Sequence, residues 1–102
     1  MKEENETLMW LQNWYASQCN NLWEHGYGID IGTIDNPGWK VKIDLKETFL
    51  DGKDFEKKKI ERSEDDWVIY WSKNSVFEAS GGSRNLVEIL NIFRKWVENG
   101  VI

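Results

Sequence analysis

Residues 23–45 read WEHGYGIDIGTIDNPGWKVKIDL, and their period decides the fold. Tyr27, Ile29 and Ile31 alternate with Gly28, Asp30 and Gly32. Beyond Asp35-Asn36-Pro37-Gly38, the residues Trp39, Val41, Ile43 and Leu45 alternate with Lys40, Lys42, Asp44 and Lys46. A period of two gives each strand one apolar face, and Pro followed by Gly is turn chemistry, so the stretch predicts a β-hairpin. The apolar residues of both strands are odd-numbered, and residues facing each other across an antiparallel pair share one side of the sheet. A two-residue loop at Pro37-Gly38 would set Ile against Lys, so the loop must hold three or five residues, or the hairpin must carry a bulge. The three-residue choice places Asp30 opposite Asp44, a like-charge pair, and the five-residue choice places it opposite Lys46.

Outward from the hairpin, the period changes. From Thr7 to about Asn20, Leu8, Leu11, Tyr15 and Cys19 recur at three and four residues, with Met9 and Trp14 widening the stripe, which predicts a helix with Thr7 as its N-cap. Residues 46–54 read as a loop turning at Asp51-Gly52. A second hairpin follows, Phe55 to Arg62 turning through Ser63-Glu64-Asp65-Asp66 into Trp67-Val68-Ile69-Tyr70-Trp71, and then a short strand, Val76 to Ala79. Gly81-Gly82-Ser83-Arg84 breaks the sheet pattern. Asn85 with Glu88 three residues on is a capping-box spacing, Leu86, Ile89, Leu90, Phe93, Trp96 and Val97 form one apolar stripe, and Asn99-Gly100 is a stop signal.

No helix separates the strands, so the expected architecture is α+β: an antiparallel four- to five-stranded meander sheet with N- and C-terminal helices packed on one face. At 102 residues the expectation is a single domain, 1–102, with 1–6 as a disordered tail. The opposite sheet face would then be solvated and display Asp30, Lys40, Lys42, Asp44, Val68, Tyr70 and Glu78, with Gly28 and Gly32 as bare backbone. Seven Trp in so short a chain are too many to hide in one small core. Trp67, Trp71 and Trp96 fall where core residues belong, whereas Trp10, Trp23 and Tyr70 lie off the apolar stripes.

Composition narrows the function. A net charge of −5 argues against a nucleic-acid binder, which needs a basic face, and favours a basic partner. One Cys and one His cannot form a disulfide or a zinc set, so no metal and no cofactor are expected. Cys19 falls on the apolar stripe and is expected in the core. Glu24 and His25 are adjacent, and adjacent residues of an extended segment point opposite ways, so they are a poor general acid-base pair. The acidic N-terminus lacks an apolar signal core and no run reaches membrane-spanning length, which points to a cytoplasmic location.

Trp10-Leu11-Gln12-Asn13-Trp14-Tyr15, Trp23-Glu24-His25-Gly26-Tyr27-Gly28, Asp35-Asn36-Pro37-Gly38-Trp39, and Gly81-Gly82 with Asn85-Leu86-Val87-Glu88-Ile89-Leu90 stand in this order. Together they resemble the immunity protein 53 family of bacterial polymorphic toxin systems, over about residues 8 to 97. Ala79 stands where a glycine would be expected after Phe77-Glu78. The resemblance implies a non-catalytic cytoplasmic antidote that binds a cognate protein toxin, a basic nuclease being one candidate. The residues expected to bind that partner are Trp23 and Tyr70 as aromatic anchors, with Glu24, His25, Asp30, Asp44 and Glu78 on the polar surface; none is expected to be catalytic. Two alternatives remain open: a small-ligand or sugar-binding domain that stacks its ligand on exposed Trp and Tyr, and a hydrolase using Glu24 and His25.

Overall fold

Alternation of apolar and polar side chains makes β1 (Ile29–Ile34) and β2 (Gly38–Asp44) an antiparallel hairpin in the computed structural model, which describes residues 2–101. Ile34 pairs with Gly38, leaving a three-residue loop of Asp35, Asn36 and Pro37. The odd length that parity demands is present, but the loop is centred on Asn36. Asp30 therefore faces Lys42, an opposite charge, and neither Asp44 nor Lys46. Gly38 joins the strand because the neighbouring backbone passes so close that any Cβ there would collide with the Gly81 carbonyl oxygen.

Three more strands complete one sheet: β3 (Phe55–Glu61), β4 (Trp67–Lys73) and β5 (Val76–Gly82). The order is β1-β2-β5-β4-β3, all antiparallel. A plain meander is thus corrected, since β5 inserts between β2 and β4 and leaves β3 at the far edge. The connection from β2 to β3 is anchored by the fully buried Leu45 and Leu50 and by Thr48, whose hydroxyl donates to the Leu45 carbonyl. Asn74 and Ser75, both at positive φ, make a two-residue turn between β4 and β5, the geometry whose twist suits a hairpin. Gly81 and Gly82 do not break the sheet but continue β5, where side chains would strike the Trp67 and Asp65 carbonyl oxygens.

α1 (Lys2–Gln18) and α3 (Leu86–Asn99) pack together on one face of this sheet. α1 takes in residues 2–6, expected above as a tail; Met1 lies outside the described residues. Its buried face is Thr7, Leu11 and Trp14 with Trp10 beside it, while Leu8, Met9 and Tyr15 are exposed, so the stripe is rotated from the expected one. Thr7 is not the N-cap. It lies inside the helix, and its hydroxyl donates to Asn91 Oδ1 of α3 at 2.7 Å. Cys19 follows the end of the helix and is half-buried rather than in the core.

In α3 the expected stripe holds: Ile89, Leu90, Phe93 and Trp96 are buried, and Gly100 at φ 74° ends the helix by donating to the Trp96 carbonyl. Phe93 is the hub of the core, with its ring against Trp10, Trp14, Phe77 and Trp96. Val41, Ile43, Phe77, Ala79 and Val68 close the core from the sheet. No helix among the described residues is long and apolar enough to cross a membrane.

Candidate functional site

The turn between β4 and β5 sets which side of β4 meets the helices. Because Lys73 pairs with Val76 across two residues, even-numbered residues of β4 share a face with odd-numbered residues of β5. Val68 and Tyr70 consequently point to the helices, and Trp67, Ile69 and Trp71 point to the uncovered face, the reverse of the expected arrangement. Tyr70 packs its ring against Phe55 beside the core, and burial pushes its phenol up from its ordinary pKa. It is not on the open face.

The open face is a lattice of crossed rows. One row runs Asp30, Lys42, Glu78, Trp71 over β1, β2, β5 and β4, alternating in charge before it ends on the indole. The Lys57 ammonium of β3 sits 4.9 Å from the centre of a Trp71 ring, a cation–π contact that completes the row. The next row holds Gly32, Lys40, Ser80, Ile69 and Lys59. Trp71 stands between two shallow grooves. One, of about 450 Å³, follows Asp30, Lys42 and Glu78; the other, of about 600 Å³, lies against Phe55, Lys57 and Lys73. Trp67, Ile69 and Trp71 are each half-buried, which is the state of an aromatic platform among longer charged side chains.

Of the residues singled out from sequence, Asp30 and Glu78 fall together in the first row, on either side of Lys42. Asp44 ends the same strand face but is occupied: its Oδ2 accepts the Gly28 N–H at 2.9 Å, while its own N–H donates to the Gly28 carbonyl. Trp23, Glu24 and His25 lie off the sheet in α2 (Trp23–Gly26), a single helical turn where an extended segment was expected. Trp23 is only 2 % exposed, and its indole N–H donates to the Lys46 carbonyl, so it is buried in the fold rather than displayed on the surface.

Both Glu24 oxygens accept backbone N–H groups, of Asn20 and Asn21, while Asn20 Oδ1 accepts those of Leu22 and Trp23. These reciprocal bonds close the turn. Backbone donors, its own N–H first and then those two, hold the Glu24 carboxyl below its ordinary pKa. His25 beside it is exposed.

The acidic run after β3 is also tied into the fold. Arg62 bridges Asp66 at 2.9 Å and Glu88 at 2.6 Å, and the Asn85 amide donates to both carboxylates. The expected capping box is therefore replaced: Asn85 makes no side-chain cap, and Glu88 links α3 to the β3–β4 turn. Donation from Asn85 and then Arg62 holds Asp66 low, and the Arg62 guanidinium does the same for Glu88. Glu64 and Asp65 remain exposed.

A family model described as Immunity protein 53 matches residues 8–98. No curated protein and no solved structure matches the chain. The match takes in all five strands and most of both packed helices, so the chain belongs to the Immunity protein 53 family, and its function is that of an immunity protein.

Proposed function

We propose that the protein confers immunity without catalysis, as the cytoplasmic partner of a bacterial polymorphic toxin, by seating that toxin on the open sheet face. The observation that carries this reading is the row Asp30, Lys42, Glu78, Trp71, an ordered sequence of charges ending on a half-buried indole, on the face the helices leave uncovered. An aromatic residue ringed by charged side chains is the usual composition of an interface anchor and its rim. Trp71 supplies apolar contact, and Asp30 and Glu78 fix the alignment against basic groups, such as those a nuclease uses to hold phosphates. The Glu24 carboxylate, engaged by backbone donors, is held in a structural role, which favours binding over hydrolysis.

The test uses the cognate toxin. Trp71→Ala is expected to weaken the complex by about 2 kcal/mol or more, roughly thirty-fold in Kd, and to reduce protection of cells expressing the toxin. Asp30→Ala with Glu78→Ala should weaken it further while the melting curve stays near that of the parent. Full protection by the triple variant would place the toxin site elsewhere. The groove between Trp71 and Lys57 favours a second reading, a small ligand stacked on the indole. A thermal-shift screen against sugars and nucleotides, repeated on Trp71→Ala, separates the two.

A further inference from the structure

The two edges of the sheet are built differently. β3 carries Lys57, Lys58 and Lys59 and a register shift between Phe55 and Lys58, features that discourage another strand from pairing there. β1 has neither: Ile29–Ile34 reads IDIGTI, pairs with β2 without interruption and contains no Lys or Pro. Since Gly28 bonds its partner Asp44 through the backbone, alternation turns the N–H and C=O of Ile29, Ile31 and Thr33 outward along the free edge.

From this edge we infer that the protein forms a two-fold homodimer in which β1 pairs antiparallel with β1 of a second copy, joining two five-stranded sheets into one. The register follows from the outward groups. Ile31 pairs with Ile31 and Ile29 with Thr33, each through main-chain groups that β2 does not use, and this sets Asp30 opposite Gly32 of the other copy. That juxtaposition is self-complementary. The Lys40 side chain lies across its own Gly32, with Cε 3.4 Å from where a Cβ would stand, so its ammonium reaches toward the edge where the other copy's Asp30 arrives. Among the described residues neither Asp30 nor Lys40 has an ion pair within 4 Å in the single chain. Two-fold symmetry makes this pair twice.

The covered side of the edge also fits a second copy. Ile31 is 41 % exposed, and the groove between α1 and β1 is rimmed by Leu8 at 52 % and Tyr15 at 38 % exposure. Antiparallel pairing covers Ile31 with Ile31 and brings the two apolar grooves side by side. Asp30 paired with Asp30, by contrast, would align like charges, so the register with Ile31 on the symmetry axis is the favoured one.

Sedimentation analysis of the full chain tests the inference. The parent should dimerise with a micromolar Kd. Thr33→Pro removes an N–H that only the second copy uses and places a ring on the edge; it should be monomeric with a melting curve close to that of monomeric parent at high dilution. Lys40→Glu should weaken the dimer about tenfold, and Asp30→Lys added to it should restore affinity by exchanging the charges across the axis. A parent that stays monomeric at high concentration overturns the proposal, as does a Thr33→Pro variant that dimerises as the parent does. So would a monomeric parent whose Thr33→Pro variant loses only toxin binding, which would give the edge to the toxin.

Discussion

Ser75 shows how one side chain ties three segments together. It is buried at positive φ in the β4–β5 turn, its hydroxyl donates to Asp51 Oδ1 and accepts the Gly52 N–H, and its carbonyl accepts the Leu45 N–H. Asp51 also accepts the Glu47 N–H. The Ser75 hydroxyl, followed by that N–H, holds the Asp51 carboxyl below its ordinary pKa. A carboxyl lowered in the folded state contributes stability that is complete above the unfolded value, about 3.9, and is lost as pH falls through the lower folded value. Asp66 and Glu88 act with the same sign through Asn85 and Arg62. Chemical denaturation followed between neutral pH and strong acid should therefore show stability falling below about pH 4, in the carboxylate range. Ser75→Ala should reduce stability at neutral pH and flatten that acid limb; an unchanged limb would show that Asp51 is not held by Ser75.

At the scale of the element, β4 decides both the core and the open face. Val68 is fully buried and Ile69, one residue on, lies on the open side. Val68→Ala should then cost about 2 kcal/mol, and Ile69→Ala less than half as much although it removes the larger side chain; paired denaturant titrations would read the difference. The same strand explains what the sequence could and could not disclose. Alternation in β1 and β2 made the odd-numbered face apolar, so Asp30 was legible as a residue of the open face, and Glu78 follows from Phe77 and Ala79. In β4 both faces are apolar or aromatic, so alternation alone carries no direction there. The clue was the two-residue turn at Asn74-Ser75, which pairs odd with even numbers and turns Val68 and Tyr70 inward. Trp23 was illegible for another reason: it is buried by a helical turn that depends on the reciprocal bonds of Asn20 and Glu24, and no hydrophobic period marks that turn.

For the whole molecule, net charge and contact charge are separate quantities. The chain carries −5, yet its open face sets Lys40, Lys42, Lys57, Lys59 and Lys73 against Asp30, Asp44, Glu61 and Glu78, with Lys59 and Glu61 already paired at 3.3 Å. That face is close to balanced. On the proposed docking, its charges fix the alignment of the toxin, and long-range attraction of a basic toxin would come from acids elsewhere, among them the exposed Glu64 and Asp65 of the β3–β4 turn. Attraction of that kind acts on approach and is screened over about 8 Å at physiological salt, whereas contacts made in the complex act on departure. Reversing the turn charges with Glu64→Lys and Asp65→Lys should slow association several-fold at low salt, lose most of that effect at high salt, and leave dissociation unchanged. Asp30→Ala with Glu78→Ala should do the opposite, quickening dissociation with little change in the association rate. Stopped-flow measurement of both variants against the cognate toxin distinguishes the roles: faster dissociation from the turn variant would put Glu64 and Asp65 inside the interface and move the docking site away from Trp71.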